Sequence, residues 1–136
     1  MMIIAACVDD AMGMMFNGRR QSRDKYLMTH LEKKASGRTL RIALGSAELF
    51  DAAASVWADE DFLQRAGQGD VCFVENADFA AYISEVEEIW LYRWNRIYPS
   101  DVYFPVPLEQ QGWRCIGQHD FSGYSHACIT EEIYKR

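Results

Sequence analysis

The stretch that decides the fold is IIAACV, residues 3–8, a nearly unbroken apolar run that ends at Asp9. Such a run predicts a strand that is buried on both faces, as strands of parallel sheets are. Similar short runs follow at residues 39–44, 71–74 and 89–94. Segments with helical signals separate these runs, so the order of elements predicts an α/β fold with a mostly parallel sheet.

The clearest helix is expected at residues 24–35, where Leu27, Met28 and Leu31 share one face and Ser22 stands in the N-cap position. The remaining expectations are a loop over residues 11–21, a short helix that follows Ser46 and carries Leu49, Phe50 and Ala53, a helix from Asp59 to Gly67, and a helix over residues 78–86.

The end of the chain lacks helical spacing. Residues 102–104, 113–118 and 129–135 read as strands, and three prolines and Gly112 punctuate the segment. We therefore expect an antiparallel hairpin at one edge of the sheet. No repeat or linker interrupts the sequence, which predicts a single domain over residues 1–136.

Composition sets limits on the function. Of the 136 residues, 49% are apolar and 25% are charged, which excludes a largely disordered chain. No apolar run approaches the roughly 18 residues of a membrane span, so a membrane partner is not expected. The opening MMIIAACVDD lacks the basic start of a signal peptide. We expect a cytoplasmic protein with four reduced thiols.

The net charge of -6 is unevenly distributed along the sequence. Residues 1–45 carry a net charge of +4, from eight basic and four acidic side chains. Residues 46–136 carry a net charge of -10, from six basic and sixteen acidic side chains. This division could steer an anion to one end of the molecule. An arbitrary distribution of surface charge explains it equally well.

Several motifs of chemistry are missing. His30, His119 and His126 are scattered and no cysteine pair has zinc-site spacing, so a metal site is not expected. His119 and His126 could meet across a hairpin, but surface histidines are the better interpretation. Neither phosphate-loop glycine pattern occurs, and no GxSxG elbow supports Ser/His/Asp catalysis. Cys7 and Cys72 lie in apolar strands and are expected in the core.

One basic run stands out, GRRQSRDK at residues 18–25. It places Arg19, Arg20, Arg23 and Lys25 within seven residues, and such a group could hold a phosphate or a carboxylate. A solvated loop is the alternative. Aromatic residues do not alternate with these cations, so binding of single-stranded nucleic acid is not expected.

The closing third resembles the dihydrofolate reductase family. The resemblance rests on an Asp-x-x-Phe-Pro block, a Trp that opens the next strand, a Tyr-Ser pair, and a last strand that ends in Tyr-x-Arg. These residues are Asp101, Phe104, Pro105, Trp113, Tyr124, Ser125, Tyr134 and Arg136. The opening is similar too, since residues 3–13 resemble the first strand and active-site loop of that family.

The resemblance implies a mostly parallel mixed sheet with flanking helices and an antiparallel C-terminal hairpin. It places Asp24 at the position of the catalytic carboxylate. The pocket would be lined by Met28 and Tyr92, with Arg19, Arg20 and Arg23 as anion contacts at its mouth. A second interpretation is that Asp24 merely caps the helix.

The departures from the family concern the cofactor. The Gly-Gly pair that approaches the pyrophosphate is replaced by Val74-Glu75, and the Arg-x-Thr segment becomes Ser46-Ala47-Glu48. One strand is expected to be missing near residues 55–57. A blocked groove with exposed carboxylates would repel phosphate, which predicts that NADPH binding is lost.

These observations leave three hypotheses for function. The first is a divergent domain without a cofactor that binds a small or anionic ligand, or a macromolecular partner, at the old pocket. The second is an NADPH-dependent reductase of a pterin or related heterocycle, with Asp24 assisting protonation. The third is an interaction module whose acidic part binds a basic protein.

Overall fold

The computed structural model describes residues 1–50 and 55–136 and contains a large and a small sheet. The strands are β1 (Met2–Val8), β2 (Gly13–Phe16), β3 (Arg19–Arg20), β4 (Leu40–Ile42), β5 (Val56–Ala58), β6 (Val71–Phe73), β7 (Val86–Arg93), β8 (Val102–Tyr103), β9 (Arg114–Phe121) and β10 (Ile129–Lys135). The described helices are α1 (Lys25–Lys34) and three 3₁₀ helices, Leu44–Leu49, Ala80–Glu85 and Glu109–Gln111.

The large sheet has seven strands in the order β5-β4-β6-β1-β7-β10-β9. The first five pair in parallel, and β10 runs antiparallel to both β7 and β9. The small sheet has the order β3-β2-β8. The α/β class, the mostly parallel mixed sheet and the C-terminal hairpin are thereby confirmed.

Strand β1 lies between two layers of core because its successive side chains point to opposite faces. Ile4 and Ala6 pack on one face with residues of the Pro-rich segment, such as Phe104. Ile3 and Ala5 pack on the other face, against α1. The buried first strand anticipated from its composition is therefore the centre of the domain.

Helix α1 covers one face of the sheet with Leu27, Met28 and Leu31, the three residues expected from their spacing. Its N-cap is Asp24, whose side chain accepts from the first-turn amides, so the expectation of a Ser22 cap is wrong. No helix of the described residues is long and apolar enough to cross a membrane.

Several local predictions are wrong. Residues 11–21 contain the hairpin β2–β3 rather than only a loop, and residues 60–65 form turns in place of a helix. The helices expected after Ser46 and over residues 78–86 are 3₁₀ helices. The short strand β5 was not expected, and the loss of a strand near residues 55–57 stays a prediction. The position of Ala53 lies outside the described residues.

Candidate functional site

A groove lies at the carboxyl edge of the parallel strands, where ligands of open α/β sheets bind. It has a volume of about 660 Å³ and lies between the hairpin β2–β3 and the segments that follow β4 and β6. We call it the edge groove. Its charged and hydroxyl-bearing lining residues are Arg19, Arg20, Ser46, Glu48 and Glu75.

Arg20 spans the edge groove from the hairpin to both opposing segments. Its Nε donates to Glu75 Oε2 at 2.7 Å, and its guanidinium also pairs with Glu48. Its second terminal nitrogen donates to the Gly45 carbonyl at 3.0 Å. Ser46 Oγ completes the cluster by donating to Glu75 Oε1 at 2.6 Å. We call this cluster the Arg20 bridge.

The hydrogen bonds of the Arg20 bridge shift the pKa values of Arg20 and Glu48. The hydrogen bond to Glu75 raises the pKa of Arg20 above its ordinary value, although burial opposes this. The hydrogen bond from Arg20 lowers the pKa of Glu48. Arg20 pairs with both carboxylates and Arg19 also lines the groove, so the expectation of an electronegative groove stays a prediction.

The positions of Val74 and Arg19 bear on two further expectations about this groove. Val74 is fully buried in the core, so its side chain does not obstruct the groove and Glu75 stands there instead. Arg19 is exposed on the hairpin, and no carboxylate of residues 1–50 or 55–136 lies within ion-pair distance of it. Arg19 is thus available to an incoming anion.

Arg20, Arg23 and Met28 meet around a second, much smaller cavity, which also touches Ser22 and Trp94. Its volume of about 10 Å³ has room for about one water molecule. A shallow depression of about 310 Å³ adjoins Arg23 and Met28 on the outer side of α1. The cavity thus brings Arg20, Arg23 and Met28 together, and the depression brings Asp24 beside Arg23 and Met28.

Asp24 lies at the start of α1, where it is almost fully buried and accepts six hydrogen bonds. Two come from the first-turn amides of Tyr26 and Leu27. Three come from the Tyr124 amide and from the amide and hydroxyl of Ser125, and the sixth comes from His126 Nδ1. The carboxylate fastens the C-terminal segment to the helix.

The environment of Asp24 keeps it ionised. Burial alone would raise its pKa, but the hydrogen bonds from Tyr124, His126, Ser125 and Leu27 outweigh burial and hold the pKa well below its ordinary value. Six donors exceed the roughly four lone-pair positions of a carboxylate. This favours the capping interpretation, and a catalytic role for Asp24 stays a prediction.

Tyr92 does not line a pocket as predicted. Its side chain is fully buried beneath α1, and its hydroxyl donates to Glu131 Oε2 at 2.9 Å. Burial, followed by the nearby Glu131 charge, raises its pKa above the ordinary value. The prediction fails because inward-facing residues of β7 meet the helix there rather than solvent.

His126 is the site residue that the sequence did not reveal. It is buried, its ring stacks on Trp94 with centroids 4.5 Å apart, and both of its nitrogens are hydrogen-bonded. The preference for a surface histidine is therefore wrong. Its partner Asp24 lies 102 residues away, so only the fold brings them together.

The described residues were expected to lack a metal site and to bury Cys7 and Cys72. The described residues contain no group of three His, Cys, Asp or Glu side chains that could hold a metal ion. Cys72 is buried as expected, and burial raises its pKa to about 12. Burial, with the Glu75 and Asp24 charges, also raises the pKa of Cys7. Neither thiol is a favourable nucleophile.

Comparison with known proteins shows which fold the chain has. No protein-family model matches the chain, and no curated protein matches it. Among solved structures, dihydrofolate reductase from Enterococcus faecalis, complexed with NADP(H) and RAB-propyl, is similar over 100% of this chain and 96% of its own. The TM-score is 0.71 and the sequence identity is 14%. The fold is dihydrofolate reductase-like.

The side chains of the edge groove can be compared with what a dinucleotide requires. Pyrophosphate needs close approach to backbone amides. Here the side chains of Glu75 and Glu48 line the groove and are joined by Arg20. A cofactor phosphate that drew Arg20 away would leave these two carboxylates without their cation.

Proposed function

We propose that this chain is a ligand-binding domain without reductase activity, which holds a small anion in the edge groove and does not use NADPH. The observation that carries the proposal is the Arg20 bridge, which joins both sides of the groove. The fold is shared with a reductase, but the side chains at the groove differ in charge and size from what a dinucleotide requires.

Loss of the dinucleotide follows from the cost of opening the bridge. A cofactor phosphate would have to take Arg20 away from Glu48 and Glu75, and would leave both carboxylates close to its own charge. Repulsion between unit charges at about 4 Å costs roughly 1–4 kcal/mol in water or at a protein surface. Two such contacts weaken binding by several powers of ten at the upper end.

A small anion avoids this cost because it needs only the outer part of the groove. Arg19 is exposed there with no ion-pair partner among the described residues, and its planar guanidinium suits bidentate contact with phosphate or carboxylate. Gly18 and Asn76 line the same part of the groove. The ligand class is therefore a compact phosphate or carboxylate.

Isothermal titration calorimetry with inorganic phosphate tests the proposal. We expect saturable binding that weakens about tenfold or more in Arg19→Ala, because a charge-assisted bidentate contact is lost. Arg114→Ala is the matched control, since Arg114 is an exposed arginine on the edge strand β9. Equal weakening in both variants, or no saturable binding by the natural chain, contradicts the proposal.

A further inference from the structure

The neighbouring residues Ser22 and Asp24 meet the distant His126 in a chain of hydrogen bonds beside the small cavity. Ser22 Oγ lies 3.1 Å from His126 Nε2, and His126 Nδ1 lies 2.9 Å from Asp24 Oδ2. The hydroxyl and the carboxylate therefore contact opposite nitrogens of one imidazole. This is the arrangement that activates a serine in unrelated hydrolases, where geometry and not sequence position defines the group.

The protonation state of Asp24 fixes the tautomer of His126. An ionised carboxylate only accepts hydrogen bonds, so Nδ1 must carry the proton that it donates to Asp24. In the neutral ring, Nε2 is then an acceptor, and it faces the Ser22 hydroxyl. The ring is thus set to take a proton from Ser22, with Asp24 as the positioning residue that would stabilise the resulting imidazolium.

The surroundings hold the imidazole in place. Trp94 stacks on the ring with centroids 4.5 Å apart and planes 26° apart. The Tyr98 hydroxyl also lies 3.1 Å from Nε2 and therefore shares that acceptor with Ser22. Five further hydrogen bonds hold Asp24, so the carboxylate cannot turn away from Nδ1.

Ser22 is accessible from its partly exposed side, since the small cavity has room for about one water molecule only. It is partly exposed and lines the small cavity together with the apolar side chains of Met28 and Phe73 and the guanidinium-bearing Arg23. Arg23 is exposed, so it can approach a negative charge that develops on a substrate oxygen. The site combines a nucleophile and a cation from neighbouring residues of the chain with a base that lies 104 residues away in the sequence.

We infer that Ser22 is a nucleophile that hydrolyses small carboxylic esters with His126 as its base. Ser22 Oγ bonds to the carbonyl carbon as its proton passes to His126 Nε2. The bond from that carbon to the alcohol oxygen then breaks, and His126 returns the proton to the departing alkoxide. Water attacks the acyl-serine in the same way, which releases the acid and restores Ser22.

A fluorophosphonate probe tests the nucleophile directly. In that reaction the Ser22 oxygen binds phosphorus, the hydroxyl proton goes to His126, and fluoride leaves. We expect mass spectrometry of the digested natural chain to find one adduct, on the peptide that contains Ser22. Ser22→Ala should abolish the adduct, whereas Ser84→Ala, an exposed serine in the 3₁₀ helix Ala80–Glu85, should leave it unchanged.

The base has its own test. His126→Gln should slow labelling at least about 100-fold, the usual contribution of a general base. Hydrolysis of p-nitrophenyl acetate should begin with a burst of p-nitrophenol equal to the concentration of the protein. Ser22→Ala should remove this burst. If His126→Gln fails to fold, the position of the adduct in the natural chain tests the inference instead. An unmodified Ser22 peptide overturns the inference whatever the result of anion titration at Arg19.

Discussion

Two carboxylate clusters flank the segment that leads into α1, and they differ in almost every physical respect. Asp24 is buried and receives six hydrogen bonds, all but one of them from backbone amides or a hydroxyl. Glu75 and Glu48 meet a guanidinium at the rim of an open groove, where Glu48 is well exposed. One cluster joins distant parts of the chain, and the other joins two sides of a groove.

This difference indicates which cluster stabilises the fold and which controls access to the groove. A buried, fully hydrogen-bonded carboxylate cannot lose its partners without leaving several polar groups unsatisfied. A partly exposed ion pair costs much less to open, because water replaces the lost contacts. The Asp24 cluster should therefore govern stability, and the Arg20 bridge should govern what enters the groove.

The largest effect is expected from Asp24→Ala. The substitution leaves the amides of Tyr26, Tyr124 and Ser125 and the ring of His126 without their acceptor. We expect the free energy of unfolding, measured by urea denaturation, to fall by about 3–5 kcal/mol. Asp101→Ala is the control, since Asp101 is exposed and accepts one described hydrogen bond, from the Asn17 amide. Similar losses in the two variants would contradict the comparison.

The second effect is the pH dependence of that loss. Hydrogen bonds hold the pKa of folded Asp24 below its ordinary value, so its stabilisation is full above about pH 4, the pKa of an unfolded aspartate, and is lost as the pH falls toward the folded pKa. The difference in unfolding free energy between the natural chain and Asp24→Asn should shrink below about pH 4. Urea titrations from about pH 7 to pH 2.5 measure it, and a constant difference would refute the assignment.

The third effect is smaller and concerns the Arg20 bridge. Arg20→Met should lower the unfolding free energy by about 1–2 kcal/mol, because one half-buried guanidinium and its carboxylates lose their hydrogen bonds. A double-mutant cycle with Glu75→Gln should return a coupling of about 1 kcal/mol. The exposed pair Arg65–Asp59 is the reference, with about 0.5 kcal/mol or less. Equal coupling in both pairs would remove the distinction.

The smallest effect is a change in thiol reactivity. Cys7 lines the small cavity between the clusters, and burial with the Glu75 and Asp24 charges raises its pKa. With Ellman's reagent we expect the exposed Cys115 and Cys128 to react quickly and Cys7 to react slowly. Arg20→Met should speed the Cys7 reaction severalfold, since the bridge covers that side of the cavity. An unchanged rate would show that the bridge does not control access.

Much of the sheet could be predicted because its signals are local. The run over residues 3–8 is apolar throughout, and burial on both faces of a central strand demands that composition. The three-residue strand β5 could not be predicted, because its pairing to β4 depends on the sheet rather than on its own sequence. Asp59 begins a segment that resembles a capped helix locally, yet residues 60–65 fold as turns.

The candidate site was less predictable because its contacts are long-range. The basic run correctly located the arginines, but the sequence carries no sign that Arg20 would reach Glu75, 55 residues away. His126 gave only one weak signal, its place directly after the Tyr-Ser pair before the last strand. Tyr92 was misplaced because alternation along a buried strand does not reveal which face a helix covers.

The most direct test of the central claim is a titration of the natural chain with NADPH, in which binding is detected by calorimetry and by tryptophan fluorescence. Trp94 lies beside the small cavity and should report a ligand that enters. The account predicts no saturable binding up to about 1 mM, because the Arg20 bridge joins Glu48 and Glu75 across the groove. Saturation at micromolar NADPH would contradict it.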